Sequence, residues 1–326
     1  MDGVRHSIQQ LLDAPDYEPV IMTGSGSSAI AAVLGSCLHK DERLLVIRNG
    51  AYGDRISQFA GRMGQSLVDM QLPYGERPSL EAIEQACQQD QVDAIALVYG
   101  CTSSCGLNPL AAVGAIAKRY GKKLLVDGVS AVFVEPLQLQ RWGVAALMGS
   151  CNKGLHAHPN LTFALVQRDL MEEMAHIPPR APSLELYQTW LKQRVGSHPF
   201  TIDPMSLKQV QAALDVLRQR GGVDARHNVY LMRSRLLRAG YRRLGLEIAV
   251  WKNMPMQAIG TALHIPKLGY DTLAHRLATE PLDGRVFEIY AAQGKLSDKL
   301  FRVFHMGEYT LDDYRVFLRS LERVLS

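Results

Sequence analysis

The stretch KKLLVDGVSA, residues 122–131, indicates the fold of this chain. Its three consecutive aliphatic residues, followed by an acidic residue and a glycine, are typical of a strand that is buried on both faces of a parallel sheet. Similar short apolar runs alternate with amphipathic stretches from residue 20 to residue 167. This alternation predicts an α/β fold with a mainly parallel central sheet that helices cover on both faces.

The same patterns predict individual elements of this region. We expect strands at residues 19–22, 44–47, 66–70, 94–98, 123–126, 144–148 and 161–166. We expect helices at residues 29–37, 55–63 and 110–120, and a further helix that Ser79 caps.

The pattern changes after residue 167. Prolines at 178, 179 and 182 interrupt the chain, and helices follow around residues 187–191, at 207–220 and up to about Gly240. Short strands are expected at 246–250 and 257–264, and helices at 272–278 and 311–325. We therefore predict a large cofactor-binding α/β domain over residues 1–218 and a small C-terminal α+β domain over residues 219–326.

The composition is that of an ordinary globular chain. Of the 326 residues, 47% are hydrophobic and 21% are charged, which excludes disordered, collagen-like and disulfide-scaffold proteins. The net charge of +4 is too small to indicate nucleic acid, and the arginines within residues 226–243 are typical of a solvated helix face. No apolar run approaches the ~20 residues of a membrane span. We expect neither a nucleic-acid nor a membrane partner.

Cysteine usage bears on the compartment and on metal binding. The five cysteines show no Cys-x-x-Cys spacing and no neighbouring histidine pair, so we expect no metal site. Scattered reduced thiols fit the cytosol, and the polar start of the chain lacks the apolar core of a secretory signal. These features predict a cytoplasmic protein.

Polar and glycine-rich stretches follow the predicted strands, at residues 24–28, 49–53, 100–106, 127–130 and 150–153. In parallel sheets ligands bind outside the carboxyl ends of the strands, so these loops predict a site. Gly24-Ser25-Gly26-Ser27 can cradle a phosphate with backbone amides and hydroxyls, although such turns before a helix are also common without a ligand.

Asp127 and Lys153 suggest a specific chemistry. In isolation, the aspartate could be a metal ligand, a helix cap or the partner of a buried cation, and the lysine could be a surface charge. Asp127 lies 26 positions before Lys153, one crossover away. The pair fits pyridoxal phosphate, with Lys153 as the Schiff-base lysine and Asp127 facing the pyridine nitrogen.

The chain resembles the class V aminotransferase group of the fold-type I pyridoxal-phosphate enzymes. It is most similar to the 2-aminoethylphosphonate–pyruvate aminotransferases and more distantly similar to the alanine–glyoxylate aminotransferases. The resemblance runs from about residue 20 to the C-terminus. It rests on the ordered segments MTGSGSSAIAAVLGS (22–36), LLVIRNGAYGDRI (44–56), GLNPL (106–110), KKLLVDGVSA (122–131), SCNKG (150–154), RGGVDARHNVY (220–230) and GKLSDKLFRVFHMG (294–307).

The resemblance implies a role for residues on the cofactor side of the site. Ser25, Gly26 and Ser27 would bind the phosphate of pyridoxal 5'-phosphate. Tyr52 would stack on the pyridine ring, with a buried structural aromatic as the alternative. Thr102 matches the hydroxyl residue near the phenolic oxygen of the cofactor.

The remaining implied roles concern catalysis, substrate and assembly. Asp127 matches the partner of the pyridinium nitrogen, and Lys153 matches the lysine that holds the cofactor. His198 and Thr201 align with a segment that reaches the phosphate from a neighbouring subunit, which implies a homodimer with shared active sites. Arg302 matches the arginine that binds the substrate carboxylate, for which a planar guanidinium is well shaped.

The chain also departs from the family pattern. We expect that a family segment preceding the equivalent of Tyr17 is missing. Cys101 stands where an acidic residue is usual, and Arg302 is followed by Val-Phe instead of Ile-Gly. The usually glycine-rich segment after the lysine contains His156 and His158, which either touch a substrate or lie outside the site.

The resemblance implies an aminotransferase that moves an amino group from a small amine or amino acid, such as 2-aminoethylphosphonate, to a 2-oxo acid such as pyruvate or glyoxylate. The departures leave two alternatives. One is a pyridoxal-phosphate lyase, decarboxylase or other α/β-carbon chemistry in specialised metabolism. The other is a non-enzymatic, truncated relative that binds a partner subunit. The joint presence of Asp127, Lys153 and Arg302 favours the aminotransferase.

Overall fold

The computed structural model describes residues 1–326. The strands are β1 (Tyr17–Thr23), β2 (Arg43–Arg48), β3 (Ser66–Gln71), β4 (Ala94–Val98), β5 (Gly100–Cys101), β6 (Gly106–Leu107), β7 (Lys123–Asp127), β8 (Ala146–Ser150), β9 (Leu161–Gln167), β10 (Gly260–His264), β11 (Tyr290–Ala291) and β12 (Leu300–Phe304). The helices are α1 (Asp2–Leu11), α2 (Gly26–Ser36), α3 (Ala51–Arg62), α4 (Leu80–Gln88), α5 (Leu110–Arg119), α6 (Arg168–Glu173), α7 (Leu186–Arg194), α8 (Pro204–Gln219), α9 (Gly222–Arg243), α10 (Tyr270–Thr279) and α11 (Leu311–Leu325).

Seven strands form the central sheet, in the order β1-β9-β8-β7-β4-β2-β3. The neighbours from β8 to β3 are parallel, whereas β9 is antiparallel to both β8 and β1. The predicted α/β fold with a mainly parallel sheet is confirmed. Because the parallel strands run the same way, the loops after β4, β7 and β8 open at one edge of the sheet.

The central sheet is buried on both faces. In β7, Leu124 and Val126 pack into one hydrophobic cluster, and Leu125 between them packs into the cluster on the other face. This alternation follows from the two-residue period of a strand. It explains why continuous apolar runs, and not alternating ones, mark these strands in the sequence.

Two helices near the site begin earlier than predicted. Helix α2 begins at Gly26 and α3 at Ala51, so that Ser27 and Tyr52 lie in their first turns. The predictions followed apolar periodicity, which the small and polar residues of these first turns do not show. Helix α1 was not predicted. It is amphipathic, buries Val4 and Ile8, and packs against α8.

The remaining helices agree with the predictions more closely. The Ser79 hydroxyl accepts a hydrogen bond from the amide of Ala82, which confirms the predicted cap of α4. Helix α11 has the predicted bounds, and α8 ends before Gly221 and Gly222, both of which have a positive φ.

The C-terminal region forms a second, smaller sheet, in the order β10-β12-β11, that packs on α9, α10 and α11. The strand predicted at 246–250 is wrong, since it is reduced to a single bridge between Ile248 and Leu263. The strand predicted from residue 257 begins only at Gly260. The reason is that the amide of Gln257 donates to the carbonyl of Cys105 and not to a strand of the small sheet.

The domain boundary after residue 218 stays a prediction. Leu217 packs with the core of the large sheet, whereas Leu237 packs with the core of the small sheet. The end of α8 and the two glycines at the start of α9 separate these environments, which supports the proposed boundary after residue 218. No helix of the chain combines the length and the apolar character that crossing a bilayer requires.

Two helical glycines give a matched test of the packing beside the site. A methyl group at Gly114 in α5 would lie 2.0 Å from the carbonyl oxygen of Trp142, in the segment that leads into β8. At Gly61 in α3 the nearest atom would be 3.5 Å away. We expect Gly114→Ala to lower the free energy of unfolding by roughly 1–3 kcal/mol, because backbone must move.

In contrast, Gly61→Ala should raise it by up to about 1 kcal/mol, because alanine favours the helix. Urea unfolding of both variants and the parent measures the difference. The same sign of change at both positions would contradict this packing.

Candidate active site

All five of the predicted loops line one cavity of about 240 Å³ at the carboxyl edge of the parallel strands. Its walls are formed by Ser25, Gly26, Ser27, Ile30, Tyr52, Arg55, Val98, Gly100, Thr102, Asp127, Val129, Ser130, Ser150, Asn152 and Lys153. The structure therefore brings together seven of the ten predicted site residues. His198, Thr201 and Arg302 are not among the lining residues.

Asp127 is the last residue of β7 and is only 3% exposed. Its carboxylate accepts a hydrogen bond of 2.9 Å from the amide of Val129, and no cationic side chain is paired with it. Burial raises the pKa of Asp127 to about 6, against the opposing effects of this amide and of the Arg55 charge. A buried carboxylate of this kind is suited to a cationic partner that the chain itself does not supply.

Lys153 lies in a tight turn after β8. Its carbonyl accepts a hydrogen bond of 3.1 Å from the amide of His156, and its ammonium makes no ion pair. The next residue, Gly154, is pressed against the backbone, since a Cβ there would lie 2.3 Å from the carbonyl oxygen of Val132. The turn therefore holds the backbone of Lys153 firmly while leaving its amine free for the cavity.

The N-terminus of α2 forms an anion-binding wall. The first amides of a helix have no partner within it, and Ser25, Gly26 and Ser27 at this N-terminus line the cavity. Gly26 is required here, because a Cβ would lie 2.7 Å from the side chain of Val129. The Ser25 hydroxyl does not cap the helix, and the Ser27 hydroxyl accepts a hydrogen bond of 3.3 Å from Arg55.

Arg55 is the site residue that sequence reasoning missed most clearly. Its guanidinium lies 4.9 Å from the centre of the Tyr52 ring and reaches Ser27, so it adds positive charge to the anion wall. Arg55 follows Tyr52 by three positions in α3. That spacing places both on one helix face and could have revealed it. Val129, Ser130, Ser150 and Asn152 were also missed, because no residue type marks them.

The lining residues fit pyridoxal phosphate. One wall offers amides, hydroxyls and a guanidinium to a phosphate. The same cavity also offers the unpaired buried carboxylate of Asp127 to a cationic ring nitrogen and the free amine of Lys153 to an aldehyde. The phenol ring of Tyr52 lines this cavity as well.

Arg302 lies behind the cavity wall. It is buried in β12, and its guanidinium donates to the carbonyl oxygens of Thr102, at 2.8 Å, and of Ala291, at 2.9 Å. Thr102 thus borders the cavity while its backbone is tied to Arg302. The role of Arg302 in binding a substrate carboxylate stays a prediction.

His198 and Thr201 lie on the surface of the large domain, outside the cavity. The ring of His198 bonds the carbonyls of Phe200 and Ile21, at 2.9 and 3.2 Å, and Thr201 is exposed. Their predicted role toward the phosphate of another subunit is not tested by a single chain. Cys101, which replaces the usual acid, is buried behind the wall, with its sulfur 3.0 Å from the Ser103 hydroxyl.

The raised pKa of Asp127 predicts a pH-dependent stability of the cofactor-free protein. The ordinary pKa is 3.8, and the folded-state pKa is about 6. Between these values the folded state binds more protons than the unfolded state. This carboxyl therefore lowers the free energy of unfolding as the pH rises.

Asp127→Asn removes that titration. We expect the stability of this variant relative to wild type to rise by roughly 2 kcal/mol between about pH 4.5 and about pH 7. Urea unfolding of both proteins without cofactor provides the measurement. An equal difference at the two pH values would show that Asp127 titrates normally.

Comparison with known proteins agrees with this site. The family described as "Aminotransferase class-V" matches residues 1–228. A 2-aminoethylphosphonate–pyruvate transaminase of Klebsiella pneumoniae is 32% identical over 99% of this chain and 88% of its own length. The corresponding protein of Salmonella typhimurium is 31% identical, with coverage of 100% and 88%.

Among solved structures, an alanine–glyoxylate aminotransferase from Nostoc sp. superimposes with a TM-score of 0.89 at 25% identity. The match covers 100% of this chain and 86% of that one. The predicted fold-type I architecture, the aminotransferase activity and the dependence on pyridoxal phosphate are confirmed by these matches. The chain belongs to the class-V aminotransferase family.

Proposed function

We propose that this aminotransferase takes its amino group from a small amine of the 2-aminoethylphosphonate kind and passes it to a 2-oxo acid such as pyruvate or glyoxylate. The observation that carries the proposal is that Lys153, Asp127 and the N-terminus of α2 line the same cavity. The choice of donor is supported by the names of the relatives that are 30–32% identical over nearly the whole chain.

When bound, pyridoxal phosphate supplies an aldehyde that condenses with amines and a protonated ring that accepts electrons from the substrate α-carbon. Asp127 would hold the proton on the ring nitrogen, since its buried carboxylate is stabilised by that positive charge. The Val129 amide fixes one oxygen of the carboxylate and so orients it.

Lys153 would act first as the amine that holds the cofactor and then, once displaced, as a base. Its Nζ would take a proton from the α-carbon of the donor and would deliver it to the carbon on the other side of the donor nitrogen. The free position of its amine suits both tasks, because no salt bridge has to break before the proton moves.

Tyr52, Ser25, Gly26 and Ser27 would hold the cofactor in place. The amides and hydroxyls of α2 would bind the phosphate, and the phenol ring of Tyr52 would cover the pyridine ring. Arg55 supports both, because it lies against Tyr52 and bonds Ser27.

The substrate and assembly assignments are parts of the same proposal. Arg302 would bind the carboxylate of the oxo acid next to Thr102, after exchanging a backbone carbonyl for that anion. A homodimer would bring His198 and Thr201 of one copy toward the phosphate of the other. The half-exposed ring of Phe200 between them supports a covered surface there. Five free, buried cysteines support a cytoplasmic location.

Replacement of the lysine tests the cofactor assignment. Purified protein with pyridoxal phosphate should show a visible absorbance band that resists dialysis, and Lys153→Ala should lose it. The matched control is Lys118→Ala on α5, which lies outside the cavity lining and should keep the band. A Lys153→Ala protein that kept the wild-type band would refute the role of Lys153.

A donor panel tests the substrate class. We expect 2-aminoethylphosphonate to bleach the band of the holoenzyme in a single turnover, and pyruvate or glyoxylate to restore it. The rate with 2-aminoethylphosphonate should exceed that with alanine by about tenfold or more, because alanine has a carboxylate but no phosphonate and so forfeits the charge-assisted contacts of the phosphonate. Product release without any oxo acid would instead favour lyase or decarboxylase chemistry.

A further inference from the structure

The turn that carries Lys153 contains a conformation that its residue type does not favour. His156 has φ of +63°, in the left-handed region that glycine adopts without cost. Its amide donates to the carbonyl of Lys153, so the imidazole is attached directly to the lysine turn. A strained backbone conformation persists only where other interactions compensate for it. The imidazole of His156, three positions after Lys153, makes two such interactions.

Both ring nitrogens of His156 bond residues of the C-terminal region. Nδ1 lies 3.1 Å from a carboxylate oxygen of Glu308, and Nε2 bonds the hydroxyl of Tyr230 in a short contact. A carboxylate only accepts hydrogen bonds, so Nδ1 donates to Glu308. In the neutral ring, Nε2 then accepts from the Tyr230 hydroxyl, and one tautomer makes both bonds.

The surroundings favour this neutral form. Burial of the ring and the nearby charge of Arg226 lower the pKa of His156, against the effect of Glu308. Tyr230 is itself almost fully buried. The His156 ring is thus held between one buried partner and one charged partner.

A second bond reinforces the connection. Arg226, one turn before Tyr230 on α9, donates to the carbonyl of Gly154, the residue directly after Lys153. The four-residue turn 153–156 is consequently attached to the C-terminal region at Gly154 and at His156. Neither bond touches the cavity that holds Lys153.

We propose that His156 is a positioning residue that ties the Lys153 turn to Tyr230 and Glu308, so that the placement of the catalytic amine depends on the small domain. The inference rests on the proposed role of Lys153 and adds a residue that does not contact cofactor or substrate. It predicts that breaking the bridge slows proton transfer at Lys153 while leaving the phosphate-binding wall intact.

Replacement by glycine separates the bridge from the turn. His156→Gly permits the left-handed conformation but removes both side-chain bonds. If His156 only shaped the turn locally, this variant would keep its function. The matched control is His158→Gly, because His158 is an exposed histidine in the same loop without a partner. Tyr230→Phe removes one bond of the bridge and leaves the turn unchanged.

The experiment uses the holoenzyme and stopped-flow bleaching of its visible band by 2-aminoethylphosphonate. We expect the single-turnover rate to fall about tenfold or more in His156→Gly and in Tyr230→Phe, because small misplacements of a reacting group are costly. The double variant should lose little more than either single one, since both act through one bridge. His158→Gly should stay within about twofold of wild type.

A readout without turnover completes the test. The pH titration of the band in donor-free protein reports on the nitrogen of Lys153, and its midpoint should move in His156→Gly and Tyr230→Phe but not in His158→Gly. The affinity for the cofactor should change little in all three.

Wild-type rates and midpoints in both His156→Gly and Tyr230→Phe would overturn the inference and leave the proposed function standing. A wild-type protein without the band would overturn both. Should His156→Gly fail to fold, Tyr230→Phe alone still decides the result.

Discussion

A carboxylate buried without a cationic partner is the constraint on which this structure depends. Asp127 ends a central strand, and the low polarity around it favours the protonated form. In the proposed role of Asp127, a ring nitrogen with a positive charge would remove this cost. Cofactor binding would then be coupled to the electrostatics of the large domain through this one side chain. Val129 links that carboxylate to the anion-binding wall, because its amide bonds Asp127 while its side chain packs against Gly26.

The parallel sheet supplies two groups of the site from neighbouring strands. Asp127 aligns with Val98 of β4 on one side and Met148 of β8 on the other. The chain leaving β8 then turns at Lys153, so amine and carboxylate come from adjacent strands. The N-terminal turns of α2 and α3 also line the cavity. In contrast to the carboxylate of Asp127, which attracts a cation, they offer hydrogen-bond donors to an anion.

Hydrogen bonds between the small and the large domain hold main-chain atoms in and beside the walls of this cavity. Arg226 bonds the carbonyl of Gly154, and Arg302 bonds the carbonyl of Thr102. Glu135 of the large domain accepts a hydrogen bond of 2.7 Å from the amide of Ala258. These bonds hold main-chain atoms and not reacting groups. A movement of the small domain would therefore shift the cavity-lining loops as a group.

Local periodicity determined the sheet, most helices and the Ser79 cap of this protein, because those features depend on neighbouring residues. The spacing of Asp127 and Lys153, together with the family resemblance, determined the cofactor and seven lining residues. Only the tertiary structure placed Arg302 behind Thr102 and His156 between Tyr230 and Glu308. The partners of His156 lie 74 and 152 residues away along the chain, and contacts at such separations depend on how whole elements pack, which no local pattern records.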